Sequence, residues 1–149
     1  MASYLPLIDL SGLTHRVHFL PLRKDVEFYY AAADAYVGPS LEDAFAMPPL
    51  EAMACGLPVI VSSHAGVSEI VTHETDGLIL KDPEDAGALA TMIRLLHSDS
   101  ALRERLGENA SRTALQYTWD RNAHELRQIF EQILANRRGA KRCSAPIGC

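Results

Sequence analysis

Residues 39–62 read PSLEDAFAMPPLEAMACGLPVIVS. An apolar run at residues 35–37 leads into this stretch and reads as a strand. Pro48 and Pro49 suit the first turn of a short helix, where a missing N–H leaves no bond unmade. Gly56 is placed to end that helix in the left-handed region, and residues 58–61 return as a second strand. Strand, loop, helix and strand within so short a span favour two parallel strands joined by a crossover.

Working outward, two more runs read as strands, at residues 17–20 and 77–80. All four are apolar almost without alternation, as expected of strands covered on both faces. Residues 26–33 read as a helix with Phe28, Tyr29 and the following alanines turned inward. VSEIVTH after Gly66 reads as one or two helical turns before DGLIL. From Asp82 the pattern is wholly helical. Asp82 reads as an N-cap, Pro83 as the first helical residue and Asp85 as first-turn acid, with Ala86, Leu89, Ile93 and Leu96 on one face. A second helix starts near Asp99 or Ser100 with Leu102, Leu106 and Ala110 inward. A third starts at Thr118 with Leu126, Ile129, Phe130 and Ile133 inward. The periodicity stops after Asn136. The fold class is α/β, a Rossmann-like parallel sheet with C-terminal helices, occupying residues 1–136. Residues 137–149 form a basic tail expected to be disordered.

The chain has 149 residues and a net charge of −5. That length suits one domain with a single core. Arg137, Arg138, Lys141 and Arg142 supply four of the 14 basic residues, so the body before them carries 10 basic against 19 acidic residues, a net −9. An acidic body argues against a nucleic-acid partner, which requires cationic side chains facing phosphates. The basic tail can touch anionic lipid heads at the inner membrane face, although a solvated terminus is the plainer reading. No apolar run has the length of a membrane span. The N-terminus lacks a basic region and carries Asp9 within its apolar stretch, so it does not read as a secretory signal, and the expected location is cytoplasmic. Cys55, Cys143 and Cys149 form no disulfide framework.

The order of pieces around residues 39–62 resembles the donor-site signature of group 1 (family 4-like) retaining GT-B glycosyltransferases, in their C-terminal nucleotide-sugar-binding domain. Pro39 and Ser40 match that family's strand end, Asp43 its first acidic position, Phe45 its aromatic and Glu51 its second glutamate. Gly56, Leu57, Pro58 and Val59 match the closing strand. RVHFL and FYYAAADAYVGPS upstream, HAGVSEIV and DGLIL downstream, and YTWD before the last helix extend the resemblance from about residue 13 to residue 134. Asp43 is one methylene shorter than the family's usual glutamate. Ala44 and Ala46 stand where it has glycines, so the loop is expected to differ in detail.

The resemblance implies part of a GT-B C-terminal domain that moves a sugar from a nucleotide diphosphate donor to an acceptor hydroxyl with retention, using no bound metal or other cofactor. Glu51, in a first helical turn, would accept from a ribose edge, because a carboxylate can take two vicinal hydroxyl hydrogens. Asp43, the candidate catalytic residue, and the backbone N–H groups of Ala44, Phe45, Ala46 and Met47 would hold the sugar. The helix start around Leu50 would face the diphosphate, whose charge suits free N–H groups and a positive dipole end. His64 opens a loop at a strand's C-terminal end, where open α/β sheets bind ligands, and a plain loop histidine remains as good a reading. Glu69 reads as mainly structural. Arg23 and Lys24 read as a solvated loop pair, since the family's basic pair lies in an earlier strand–loop–helix. No histidine, cysteine or acidic set has metal-ligand spacing. Asn109 in NAS lies on a helix and is set aside as a glycosylation acceptor.

Two function classes stay open: the donor-binding half of a glycosyltransferase, or a non-catalytic nucleotide-sugar-binding or partner-docking module left after loss of the N-terminal domain. Four strands are fewer than the six of a complete Rossmann-like unit. The expectation is therefore of a fragment that associates with the missing domain or with itself.

Overall fold

Strand Val59–Ser62 is buried along its whole length, so its side chains are covered on both faces and its backbone must be bonded on both edges. In the computed structural model, which describes residues 4–143, with the surroundings of side chains given through residue 137, it is the central strand of a parallel sheet. The strands are β1 (Tyr36–Gly38), β2 (Val59–Ser62) and β3 (Leu78–Leu80), in the order β1-β2-β3. Val37 pairs with Ile60 and Ile60 with Leu78. Helices α1 (Leu5–Leu10) and α2 (Val26–Ala32) precede the sheet, and α3 (Met47–Ala54) joins β1 to β2. A 3-10 turn at Gly66–Glu69 leads toward β3, after which come α4 (Ala86–Ser98), α5 (Ser100–Ala114) and α6 (Trp119–Cys143).

The two faces of β2 sort the core. Val59 and Val61 pack with Ala52 and Met53 of α3, Val67, and Ala110 and Ala114 of α5. Ile60 faces the other way, with Leu78, Leu80, Leu96 and Leu106. Each valine, leucine, isoleucine or methionine among them contributes roughly 1.5–3 kcal/mol by leaving water. Gly56, at φ +81°, ends α3 as expected from the sequence. The N–H of Gly56 donates to the Met53 carbonyl and that of Leu57 to the Ala52 carbonyl, the pairing that closes a helix through a left-handed residue. The loop before β3 is tied to α5 through Asp76, only 4% exposed, which accepts from the Thr72 N–H and the Thr113 hydroxyl.

Several expectations need correction. Residues 17–20 are not a strand: they are exposed and belong to no ladder among the described residues. Among the described strands β1 pairs with β2 alone, so no neighbour bonds the backbone of residues 17–20 into the sheet. In α2 the inward residue is Tyr30, which packs against the core, whereas Phe28 is 68% exposed and Tyr29 and the alanines also face outward. Asp82 caps only a turn, accepting from the Glu84 N–H. The N-cap of α4 is Asp85, which accepts from the Ala88 N–H, so Pro83 precedes the helix and Ala86 begins it. Leu96 is buried as expected, but Ala86 and Ile93 are exposed. In α5, capped by Asp99, Leu106 and Ala110 are buried and Leu102 packs beside them. The expected inward face of α6, Leu126, Ile129, Phe130 and Ile133, is exposed, because no other described element lies over it. This helix also continues past Asn136 to Cys143, since a hydrogen-bonded ladder once started propagates without an apolar stripe. Residues 144–149 of the expected disordered tail lie outside the described residues.

Helix α5 crosses α3 so closely that a Cβ on Gly107 would overlap the Gly56 carbonyl oxygen, a backbone atom that cannot swing aside. Alanine in a helix gains up to about 1 kcal/mol over glycine, whereas overpacking costs about 1–3 kcal/mol. Gly107→Ala is therefore expected to lower stability by roughly 1–2 kcal/mol, read as an earlier urea midpoint. A midpoint at or above that of the unsubstituted protein would refute this contact.

Candidate functional site

The C-terminal ends of β1 and β2 open onto a cleft of about 400 Å³ lined by Glu42, Asp43, Ala44, Ser63, His64, Ala65, Gly66, Ser68 and Glu69. This is where open α/β sheets bind ligands. The segment after β1 and the segment after β2 are joined there by their main chains. The Asp43 N–H donates to the His64 carbonyl (3.4 Å) and the Gly66 N–H to the Asp43 carbonyl (2.9 Å), prolonging the parallel pairing of β1 and β2 by one bridge. Nδ1 of His64 lies 3.2 Å from the Leu41 carbonyl, so in its neutral form that nitrogen carries the proton. The contact leaves no room at Gly66, where a Cβ would overlap the Ala44 carbonyl oxygen. Asp43 is thereby held half-buried at the cleft wall.

The loop at residues 44–47 needs no glycine. Among the described residues Glu74 alone of the non-glycines has positive φ, and Ala46 sits at φ −65° and ψ 120°, an extended conformation open to any residue. Ala44 and Ala46 therefore carry no backbone strain. The Phe45 N–H donates to Oδ1 of Asp43 at 3.1 Å, a local turn that orients the carboxylate and uses one of the loop donors expected to face a ligand.

Helix α3 begins at Met47, with Ala46 as N-cap. Glu51 is thus the fifth residue, one turn in, rather than in the first turn as the sequence suggests. Pro48 and Pro49 occupy the second and third positions and have no N–H, so the helix start keeps only the donors of Ala46 and Met47 for an anion. Leu50 is half-buried against the core. Glu51 itself is exposed, and its Oε2 accepts from the Tyr30 hydroxyl at 3.0 Å.

Electrostatically the cleft is acidic: Glu42, Asp43 and Glu69 line it, and no lysine or arginine does. Burial, then the negative charges of Asp43 and Glu51, raise the Tyr36 phenol above its ordinary value, so the fields of both carboxylates reach this one ring. Tyr30 is pushed up to about 12, first by burial and then by its bond to Glu51. Both tyrosines therefore stay protonated at neutral pH. The sequence reading missed Tyr30 and Tyr36. Their signal was the run YYAAADAY ahead of Asp43, and only packing shows which tyrosine turns inward. Among the described residues no group of three His, Cys, Asp or Glu side chains could hold a metal ion. Arg23 pairs with Asp25 on the surface, in keeping with a solvated loop.

Residues 5–113 match the family model described as glycosyl transferases group 1. A D-inositol 3-phosphate glycosyltransferase of Salinispora tropica is 35% identical over 137 residues, covering 89% of this chain and 28% of its own length. Sucrose-phosphate synthase from Thermosynechococcus elongatus superposes with a TM-score of 0.80 at 34% identity, over 88% of this chain and 33% of that one. Anabaena HepE, in a complex with UDP-glucose, superposes with a TM-score of 0.72 at 29% identity, over 77% of this chain and 32% of its own. The chain spans about a third or less of the length of these relatives. Because that family model covers most of its residues and a relative 35% identical matches 89% of it, the chain belongs to the group 1 glycosyltransferases.

Proposed function

We propose that this chain binds a nucleotide diphosphate-sugar and supplies the donor half of a transfer to an acceptor hydroxyl with retention. The observation that carries the reading is the pairing of Asp43 with residues 64–66, which fixes a carboxylate at the wall of an acidic cleft, while Glu51 stands one turn into α3. A neutral polyhydroxyl group suits such a cleft, because carboxylates accept hydroxyl hydrogens and a diphosphate would be repelled. Asp43, through the oxygen not bonded to Phe45, would accept from the sugar's hydroxyls. Glu51 would accept from the ribose. The N–H groups of Ala46 and Met47, beside Leu50, would face the diphosphate, as the free donors of a helix start do.

In the transfer the bond between the anomeric carbon and the diphosphate oxygen breaks with its electron pair staying on that oxygen, the acceptor oxygen bonds the carbon on the same face, and the acceptor's proton passes to the departing diphosphate. Charge developing on the departing diphosphate needs cations; the acidic cleft has none among its lining residues, and at the helix start Arg121 lines a pocket with Met47 and Leu50. Further cations would come from an earlier strand–loop–helix of the same donor-binding domain, and the acceptor site from a partnering N-terminal domain. The location we propose is the cytoplasm, and no helix among the described residues is long and apolar enough to cross a membrane. The exposed apolar faces of α1, α2 and α6 favour a second reading, a nucleotide-sugar-binding module that docks on a partner and performs no transfer.

Glu51→Gln is expected to weaken binding of the nucleotide-sugar by about 1–3 kcal/mol, the range for hydrogen bonds to a charged group, with little change in melting temperature. Calorimetric titration checks it, and an unchanged dissociation constant would remove Glu51 from the ribose. The transfer is expected to be indifferent to EDTA. Activity lost to EDTA and restored by manganese or magnesium would contradict that. The 149-residue chain alone is expected to bind donor, to associate in solution and to leave the donor unhydrolysed. Light scattering showing a stable monomer, together with donor turnover by it, would overturn the division of labour proposed above.

A further inference from the structure

Glu51 projects from α3 into solvent, and a free glutamate side chain samples several rotamers. Here one of its oxygens is held. The Tyr30 hydroxyl donates to Oε2 at 3.0 Å across 21 positions of sequence, from a different helix. Tyr30 is well suited to hold another group still: its ring has only two side-chain torsions, packs against the core, and lies 6.4 Å from the Tyr36 ring at a tilt of 59°. Its high pKa keeps the hydroxyl a donor throughout the neutral range.

We propose that Tyr30 is a positioning residue that orients the Glu51 carboxylate for the ribose diol of the donor, so that preference for a ribonucleotide over its 2′-deoxy counterpart depends on the Tyr30 hydroxyl. The inference rests on the donor-binding reading above. With Oε2 anchored, Oε1 and the remaining lone pair of Oε2 lie in one fixed plane, and two adjacent hydroxyls can donate to them together. An unanchored carboxylate would have to be ordered by the ligand itself, and that ordering weakens binding. A bond that merely stapled α2 to α3 would leave discrimination between ribose and deoxyribose untouched.

The test is titration of the full chain with UDP, GDP and ADP, then with the 2′-deoxy form of whichever binds most tightly. In the unsubstituted protein the ribonucleotide is expected to bind more tightly than its deoxy form. Tyr30→Phe removes one oxygen atom. It is expected to weaken ribonucleotide binding about three- to tenfold, in the range of one lost hydrogen bond, while barely moving the deoxynucleotide, so that the preference collapses. In a Glu51→Gln background the same substitution is expected to add no further loss of preference, because the two residues act as a unit. Tyr30→Phe that keeps the full ribose preference, even with a lowered melting temperature, would overturn the positioning role and leave the donor-binding reading intact. If no nucleoside diphosphate binds the unsubstituted chain, or if Glu51→Gln keeps the ribose preference, the donor-binding reading falls and this inference falls with it.

Discussion

A strand buried on both faces and bonded on both edges has almost no freedom, and Val59–Ser62 is such a strand. Its side chains alternate between two apolar clusters, so a shift of one residue would carry Val59 and Val61 to the face that Ile60 fills. Its register fixes that of Tyr36–Gly38 on one side and Leu78–Leu80 on the other. The chain leaving its C-terminal end is fixed in turn, because Ser62 accepts from the His64 N–H and the Ser63 N–H donates to the Leu80 carbonyl. The segment at residues 64–66 that meets Asp43 is therefore an extension of the core, although it lies at the surface.

The same dependence divides the site electrostatically. Carboxylates gather where the two segments meet, at Glu42, Asp43 and Glu69, while the end we propose for the diphosphate is the start of α3. That end is weak as anion sites go: Pro48 and Pro49 remove two of the four N–H groups a helix start leaves free. The prolines serve the backbone, since Pro49 is fully buried and both fix φ where the helix begins. Folding and anion binding thus compete for the same turn, and here the residues favour folding. In the proposed reaction this puts more of the burden of the diphosphate's charge on groups outside the cleft.

Much of this was legible in the sequence, and the misses have a common cause. The strands at Val59–Ser62 and Leu78–Leu80, the stop at Gly56, and Leu106 and Ala110 inside α5 were all readable because local pattern decides them. Local pattern points to Phe28 and Tyr29 as the inward residues of α2, yet Tyr30 is equally apolar enough to serve. Which one turns inward depends on where α3 lies, and no local period encodes that. Residues 17–20 have a strand's composition and no ladder partner among the described residues, and α6 has a helix's apolar stripe with no surface against it. Asp82, Pro83 and Asp85 offered two good caps three residues apart, and the choice fell to Asp85 through its bond to the Ala88 N–H. At the site, the signature located Asp43 and Glu51 along the chain. It could not locate the bonds from Tyr30 and from Gly66, which come from segments distant in sequence.

Most of the large exposed apolar side chains fall at residues 4–29 and 115–134, on α1, the extended stretch after it, α2 and α6. The cleft lies between those regions, at residues 42–69, over a part of the chain that covers itself: α3 and the 3-10 turn lie on β2, and α5 lies on α3. Side chains left in water forgo the roughly 1.5–3 kcal/mol each would contribute on burial, so the outer regions have strong reason to find cover. They are not cut off from the site: Tyr117, Trp119 and Arg121 line a pocket with Phe45, Met47 and Leu50. From the N-terminal region the contact is Tyr30. It belongs to α2, whose other aromatics are exposed, yet it reaches the core and Glu51. Whatever covers the outer face of α2 would bear on the site through that one side chain. Asp43, pinned by main-chain bonds to residues 64–66, would be indifferent to it. The two carboxylates of the signature therefore differ in what holds them: one is fixed by the sheet, and the other is steadied by a helix whose outer face is still open.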